Sequence, residues 1–538
     1  MAPGAPGARD GAGHALTKGI DVDIAQYVTQ DFGTLDDLFK MHAAERPSRT
    51  AAICEDRQIS YAELNALVDR AAAALQREAV QAKDMVSICA SSSLEYVALF
   101  VAILRAGATV APLPPSATPE QLVTMLKDCG ATHLFSDAVV SSHLAPVSSA
   151  IAARRVALGP DAKGEPFERW LAPEGATPRS TSIDPDQAFN IIYSSGTTGT
   201  PKGIIHSHRM RWSQIVGLLP IGYGPDAVAI LATPLYSNTT LASLLPALAG
   251  GATCVLMPKF DARRYLELCE RHRVTVAMLV PVQYRRILEE PGFDDVDLSS
   301  FQVKFSTSAP FPAELKREVL TRWPGGLIEI YSMTEGGVIC LLFAHEHPDK
   351  LHTVGRWSSA SDLKVIDDEG RVLAPGLAGE VVGRSAAMMD GYLNQPDKSA
   401  EAEWWSPEGL RYIRTGDIAS VDEDGFVALV GRKKDMIISG GFNIYPIDLE
   451  MALIGHPSIE EVAVIGKPSD RWGETPIAFV TLKEGANVDV ETLRTYANDS
   501  LGKHQRISEV RIIDALPRSA IGKVLKRELQ DRLVSESK

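Results

Sequence analysis

Two rhythms alternate along the first three hundred residues. Short apolar runs recur at 50–54, 85–90, 109–113, 134–135, 155–158, 191–192, 227–232, 253–257, 275–280 and 303–306, and several are separated by stretches with helical spacing. The stretch 34–45 places Leu35, Leu38, Phe39 and Met41 on one face and is followed by Pro47, which predicts a helix with a defined stop. Ser60-Tyr61-Ala62-Glu63 has the form of a capping box, opening a helix that runs to Arg77 with an Ala/Leu stripe, and 94–106 predicts another helix. Apolar strands alternating with helices imply α/β architecture, with mostly parallel sheets covered on both faces by helices.

The texture changes after Asp362. Leu363-Lys364-Val365-Ile366, the turn Asp367-Asp368-Glu369-Gly370 and the run Gly379-Glu380-Val381-Val382 predict an antiparallel meander, a small β-barrel-like part spanning about 355–430. Past Gly431 a charged, glycine-bordered stretch, GRKKDMIISGG, has the composition of a hinge. The expected layout is a disordered extension at 1–17, a large N-terminal domain at 18–433, and a smaller mobile α+β C-terminal domain at 434–538.

Composition narrows the partners. The chain has 538 residues, enough for two or more cores, with 45% hydrophobic and 23% charged residues. A formal net charge of -14 argues against nucleic acid or anionic lipid as partner and toward a small ligand. Six cysteines are scattered without any CxxC pair, so neither a zinc site nor a disulfide framework is expected. The opening MAPGAPGARDGAGHALTKG shows no leader pattern, and no apolar run is long enough to span a bilayer, which predicts a cytoplasmic protein without an integral membrane segment. Oligomeric state is left open, a homodimer included.

Four stretches carry candidate chemistry. In Tyr193–Gly203, YSSGTTGTPKG, glycines and hydroxyls follow an apolar strand and Lys202 ends the run. Backbone N–H groups, hydroxyls and a mobile cation together make a cradle for a polyphosphate. It is not the common nucleotide loop, which ends in Gly-Lys-Ser/Thr, because Pro201 precedes Lys202. Tyr331-Ser332-Met333-Thr334-Glu335 puts a carboxylate beside a hydroxyl at a strand end, where the pair can hold Mg2+ against phosphate oxygens. Arg414-Thr415-Gly416-Asp417, with Gly431-Arg432 later, offers an acceptor and a donor suited to a ribose. Pro517-Arg518-Ser519-Ala520-Ile521-Gly522-Lys523 puts a lysine in a basic cluster. Taken singly, each also fits a solvated loop or turn.

Together, in this order and covering the chain from about Leu35 to Arg527, the motifs resemble those of the adenylate-forming superfamily, in its acyl- and aryl-CoA synthetase branch. The resemblance implies ATP, Mg2+ and coenzyme A as cofactors and a small carboxylic acid as substrate. The acid attacks the α-phosphate to give acyl-AMP and pyrophosphate, and a thiol then takes the acyl group. No general base is needed in the first step, because the carboxylate is already ionised.

Residue roles follow from the same resemblance. Ser194, Ser195, Gly196, Thr197, Thr198, Gly199 and Lys202 hold phosphate, and Ser308, Ala309, Pro310, Tyr331, Ser332 and Met333 surround the nucleotide, with Tyr331 against adenine. Thr334 contacts the α-phosphate, Glu335 binds the metal, Asp417 and Arg432 hold the ribose, and Lys523 bridges substrate carboxylate and α-phosphate. Gly440, Gly441 and Phe442 line the path of the coenzyme A thiol, and Lys434, two residues after the ribose arginine, is the hinge. The acyl pocket is expected within 236–245, 305–310 and 333–341, including Tyr236, Ser237, Ser306, Thr307, Gly336, Gly337 and Val338.

This chain departs from the family pattern where Ser237 stands for a common His, Ser306-Thr307 for a Gly pair and Ser332 for a Gly that would leave the acyl pocket roomier. No cation is evident in the pocket segments, which disfavours dicarboxylates unless Arg285 or Arg286 turns inward. An aromatic or phenylpropenoid acid (4-coumarate- or benzoate-like) is expected, with a medium- or long-chain fatty acid, or a carrier-protein thiol as acceptor, as alternatives. A silent nucleotide sensor and an ADP-forming phosphotransferase are the rivals from other classes.

Overall fold

The computed structural model describes residues 22–194, 201–503, 505–518 and 524–536. They form two compact units. One comprises the chain up to Thr307 with Glu314–Ile328 and Ala386–Ala400, and the other comprises Ser308–Ala313, Glu329–Ser385 and the chain from Glu401 onward.

In the first unit an eight-stranded sheet runs in the order Gly391–Tyr392, Lys202–Ser207, Ala188–Ser194, Thr109–Pro112, Met85–Cys89, His133–Ser136, Arg154–Ala157, Glu165–Pro166. Its middle is parallel, as the apolar runs predict, and its first three strands pair antiparallel. A second group of neighbouring strands, Val303–Ser306, Val276–Leu279, Val228–Leu231, Thr253–Leu256 and Thr50–Cys54, is also parallel. The expected capping box is made in both directions: Ser60 accepts from Glu63 N–H, and Glu63 accepts from Ser60 N–H. The helix Leu94–Arg105 is buried almost all round, which its continuous apolar sequence requires.

Among the buried cations of this unit, Arg105 and Lys304 are satisfied in different ways. Arg105, at the end of its helix, lies 2.7 Å from both Asp36 and Asp69, so its charge is neutralised where the helix carbonyls also favour it. Lys304, fully buried, donates instead to the carbonyls of Trp323, Pro324 and Gly325 at 3.1, 2.5 and 2.7 Å, just past the helix Ala313–Arg322. Burial pulls this ammonium down toward about 7. The carbonyls oppose that, because only the charged form can donate three hydrogen bonds.

The second unit carries a five-stranded antiparallel sheet in the order Ser361–Ile366, Gly379–Ser385, Arg411–Val421, Glu403–Trp405, with Val427–Arg432 also on Arg411–Val421. Beyond it, Phe442–Ile444, Ile437–Ser439, Gly473–Leu482 and Ile459–Ser469 form another antiparallel sheet, joined in parallel by Glu509–Ile512. Alternate residues supply two cores: Val464, Ala478 and Val480 pack with Leu449, Leu453 and Leu493, while Ile465, Ile477 and Phe479 pack with Leu529 and Leu533. Period-two alternation therefore places helices on both faces of this sheet.

The six cysteines are all free. Cys89, Cys129, Cys254, Cys269 and Cys340 are buried, and Cys54 is half-buried. No helix among the described residues is long and apolar enough to cross a membrane.

Candidate active site

The strand Ala188–Ser194 enters the glycine-rich stretch, and its partner Lys202–Ser207 leaves it in register, Tyr193 opposite Gly203 and Ser194 opposite Lys202. Lys202 is therefore the first residue of a strand and not a loop lysine. The return strand is hidden in the sequence because its ends, Pro201-Lys202 and His206-Ser207, look like loop. Lys202 Nζ lies over the Tyr392 ring, 4.8 Å from its centroid. Tyr193 turns away from the stretch, its hydroxyl donating to Asp128 Oδ2 at 2.7 Å and standing 3.1 Å from the Met125 carbonyl oxygen. Ser195, Gly196, Thr197, Thr198 and Gly199 lie outside the described residues.

Also in the first unit, Ser237 caps the helix Asn238–Ala249, accepting from Thr239 N–H. Thr233 and Thr240 are joined by a 2.6 Å hydrogen bond between their hydroxyls, beside half-buried Tyr236. Ser306 ends the strand Val303–Ser306 at its carboxyl edge, where ligands of parallel sheets bind. It is fully buried, and its Oγ has no hydrogen-bond partner among the described residues. Thr307 follows, its N–H on the Leu279 carbonyl at 3.3 Å. Arg285 is half-buried and Arg286 exposed.

In the second unit, Ser308 opens Ser308-Ala309-Pro310 with φ of 75°, a left-handed conformation that costs a serine energy and is concentrated at functional sites. The strand Gly326–Tyr331 delivers Tyr331, whose hydroxyl donates to Asp417 Oδ2 at 2.8 Å. Burial and the Asp417 charge both raise the Tyr331 pKa, so its proton stays on. Arg432 Nε sits 3.1 Å from the other oxygen, Oδ1. Asp417 N–H donates to Thr415 Oγ1, and that hydroxyl donates to the Val381 carbonyl, which fixes the aspartate at the mouth of its strand. A cleft of about 320 Å³ beside it is lined by Thr415, Gly416, Arg432, Lys433 and Lys434.

Between Tyr331 and Val338 the chain makes a tight loop. Gly336 N–H donates to the Met333 carbonyl, and Gly337, at φ of 92°, lies so close to Gly383 that a Cβ would stand 2.7 Å from its carbonyl oxygen. Ser332 Oγ donates to the Val338 carbonyl at 2.9 Å, so the serine that replaces glycine ties the loop shut. Thr334 and Glu335 are half-buried on this loop. No group of three or more His, Cys, Asp or Glu among the described residues is placed to hold a metal ion. One carboxylate and one hydroxyl suit Mg2+, which keeps waters and phosphate oxygens as its other ligands.

Gly440 and Gly441 have φ of 58° and 83° and join Ile437–Ser439 to Phe442–Ile444, a two-residue hairpin that requires both to be left-handed. Phe442 stands half exposed beyond the turn. Lys434 is exposed in the short turn Lys433–Asp435. Arg518 pairs with Val524, and Lys523 lies outside the described residues.

Two groups escape the sequence reading. Glu380, buried, receives Arg414 at 2.7 Å and Lys433 at 3.3 Å, holding the strand end next to Lys434. Arg211 is buried among neutral side chains, and its three-residue spacing to Gln214 on one helix face is the sequence signal that marks it.

A unit of parallel sheets, and another with a carboxylate held by a phenol and a guanidinium beside a cleft, define an α/β enzyme that handles a nucleotide. The chain matches the family model for AMP-binding enzymes over residues 39–393 and that for the AMP-binding enzyme C-terminal domain over 448–523. It is 33% identical over 511 residues to the indoleacetate–CoA ligase of Aromatoleum aromaticum, covering 92% of this chain and 97% of that one. To 4-coumarate–CoA ligase 2 of Oryza sativa subsp. japonica it is 33% identical over 548 residues, covering 96% and 94%. ATP-bound MatB from Rhodopseudomonas palustris superposes with a TM-score of 0.83 at 29% identity, covering 93% and 99%. The chain belongs to the AMP-binding enzymes, in their acid–thiol ligase branch, which uses ATP and coenzyme A.

Proposed function

We propose that this ligase activates an aromatic or phenylpropenoid acid as its acyl-adenylate and transfers the acyl group to coenzyme A, in the cytoplasm. The observation that carries the nucleotide half is the Asp417 carboxylate, one oxygen occupied by Tyr331 and the other by Arg432, at the edge of an open cleft. Its remaining lone pairs can accept two vicinal hydroxyls, as a ribose presents. The acid half is supported by the kinds of acid named for the relatives, and by the buried, unpartnered Ser306 hydroxyl at a strand's carboxyl edge. Six unpaired cysteines suit a reducing compartment.

The residues divide the work. Lys202, Ser194 and the stretch Ser195-Gly196-Thr197-Thr198-Gly199 hold the β- and γ-phosphates, and Thr334 orients the α-phosphate. Ser308, Ala309, Pro310, Ser332 and Met333 enclose the base with Tyr331. Mg2+, when bound through Glu335, neutralises phosphate charge. Lys523 offsets the charge gathered where the acid carboxylate meets the α-phosphate, and the first step needs positioning and neutralisation more than proton transfer. Tyr236, Ser237, Thr307, Gly336, Gly337 and Val338 shape the acid pocket with Ser306. The hairpin Gly440-Gly441 with Phe442 guides the thiol, after a swing of residues 434–538 about Lys434. The layout behind this is an N-terminal domain at 18–433 and a mobile domain at 434–538.

A panel of benzoates, arylpropenoates, arylacetates and fatty acids, assayed for AMP, pyrophosphate and acyl-CoA, tests the proposal. Thioester and AMP with the aromatic acids support it. ADP as product, or preference for a fatty acid, overturns it.

A further inference from the structure

Arg211 has no exposed surface, and no carboxylate pairs with it among the described residues. Burial alone accounts for the lowering of its pKa, to about 9. Arg105 in the same unit shows the ordinary solution, two aspartates. The acceptors around Arg211 are all neutral: Nε donates to Asn190 Oδ1 at 2.8 Å, Nη1 to Gln214 Oε1 at 2.7 Å, and Nη2 to His206 Nδ1 at 2.8 Å and to Asn238 Oδ1 at 2.9 Å.

A guanidinium has donors only, so these contacts dictate how each partner is turned. His206 carries its proton on Nε2. Asn238 and Gln214 must face Arg211 with their oxygens, and so their NH2 groups point away from it. Both residues are partly exposed, and neither amide nitrogen has a hydrogen-bond partner among the described residues. Asn238 begins the helix Asn238–Ala249, next to Tyr236 and Ser237 in the segment assigned to the acid pocket. A buried positive charge thus stands behind two outward-facing pairs of N–H donors. That surface can only donate, and the charge behind it favours an electron-rich oxygen in front of it.

We infer that Arg211 is a positioning residue for specificity: through Asn238 and Gln214 it selects acids that carry, besides the reacting carboxylate, a second acceptor oxygen such as a ring hydroxyl or a further carboxylate. This rests on the ligase function and pocket proposed above. It also revises the expectation that no cation serves the pocket segments, since Arg211 reaches Asn238 from a neighbouring helix.

Matched pairs of ring-substituted arylpropenoates, each a hydroxyl compound and its methyl counterpart at the same position, test this in the full-length enzyme. At the best position the kcat/KM ratio of hydroxyl to methyl compound should be about tenfold or more, as a hydrogen-bonding site gives against an analogue that leaves donors unpaired. Arg211→Met and, independently, Asn238→Leu should each bring that ratio to about one. The ratio is insensitive to a general loss of folded enzyme. Should Arg211→Met fail to fold, Asn238→Leu at the partly exposed helix start still decides. A parent ratio near one at every position, with AMP still formed, overturns this inference alone. A raised KM for ATP in the variants with the acid ratio unchanged assigns the donors to the nucleotide and also overturns it. No AMP from any acid of the panel overturns the ligase proposal and this inference with it.

Discussion

Asp417 and Arg432 are register partners on adjacent antiparallel strands, and Arg432 Nε meets Asp417 Oδ1 at 3.1 Å while Tyr331 holds Oδ2. The carboxylate is thus oriented from both sides before any nucleotide arrives. Asp417→Ala leaves two donors without their acceptor and removes the proposed ribose contact, so KM for ATP should rise about tenfold or more with a smaller loss of kcat. Asp417→Asn, which can still accept from Tyr331, should cost less. Steady-state kinetics at saturating acid measures both.

Glu335→Gln keeps the size of the side chain and removes the charge assigned to Mg2+. Acid-dependent pyrophosphate exchange should fall at least about 100-fold and recover in part as Mg2+ is raised. Near-parental exchange at ordinary Mg2+ would show that the metal is held elsewhere.

The turn Lys433–Asp435, which holds the proposed hinge Lys434, follows a strand end whose Arg414 and Lys433 are paired with buried Glu380. Lys434→Pro fixes φ near about -65°. It should leave pyrophosphate exchange while thioester formation collapses, and Lys523→Ala should lose adenylation yet still convert presynthesised acyl-AMP. Equal loss of both half-reactions in each variant would exclude a swing about this residue.

Lys304→Met keeps the bulk of the stem but leaves the carbonyls of Trp323, Pro324 and Gly325 without their donor. Unsatisfied buried acceptors cost about 1 kcal/mol each or more, so stability should fall by about 3 kcal/mol. Denaturant titration reads the change, and a midpoint equal to the parent would show that solvent or repacking replaces the ammonium.

His208 is buried, edge-on to Phe189 at 5.0 Å, with Nε2 unpartnered among the described residues, and burial lowers its pKa to about 4. The unfolded chain binds its proton near the ordinary value of about 6.5. Between those values the unfolded state holds more protons, so stability falls as pH drops from 6.5 toward 4, by roughly 3 kcal/mol in full. His208→Phe should flatten this part of the pH–stability curve. An unchanged slope would assign it to other groups.

What could be read from the chain alone follows from the range of each interaction. The Ser60–Glu63 box and the parallel strands depend on neighbours in sequence, and they lie where patterning puts them. Asp417 and Tyr331, 86 residues apart, were each marked by a motif, but their hydrogen bond was invisible without the fold. Glu380 looked like one more strand glutamate, and its burial comes from Arg414 and Lys433, which reach it only after the sheet forms. The Gly440-Gly441 pair has a local reason that the motif does not show, since a two-residue hairpin needs positive φ at both positions, and this is independent of any part it plays along the thiol path. The sequence marks Ser332 only as a bulkier residue at a glycine position, and the hydrogen bond of its hydroxyl to the Val338 carbonyl, six residues on, shows only in the fold.

An enzyme that makes a mixed anhydride exposes itself to any thiolate nearby, including its own. Here Cys89, Cys129, Cys254, Cys269 and Cys340 are buried, and burial raises the thiol pKa of each. Half-buried Cys54, next to Glu55 and near Glu95, is raised to about 11. The nucleophile is the thiolate, and at neutral pH almost none exists on these residues. The packing of the core thus keeps these thiols in their protonated, weakly nucleophilic form, and an alkylating reagent should find Cys54 first and slowly.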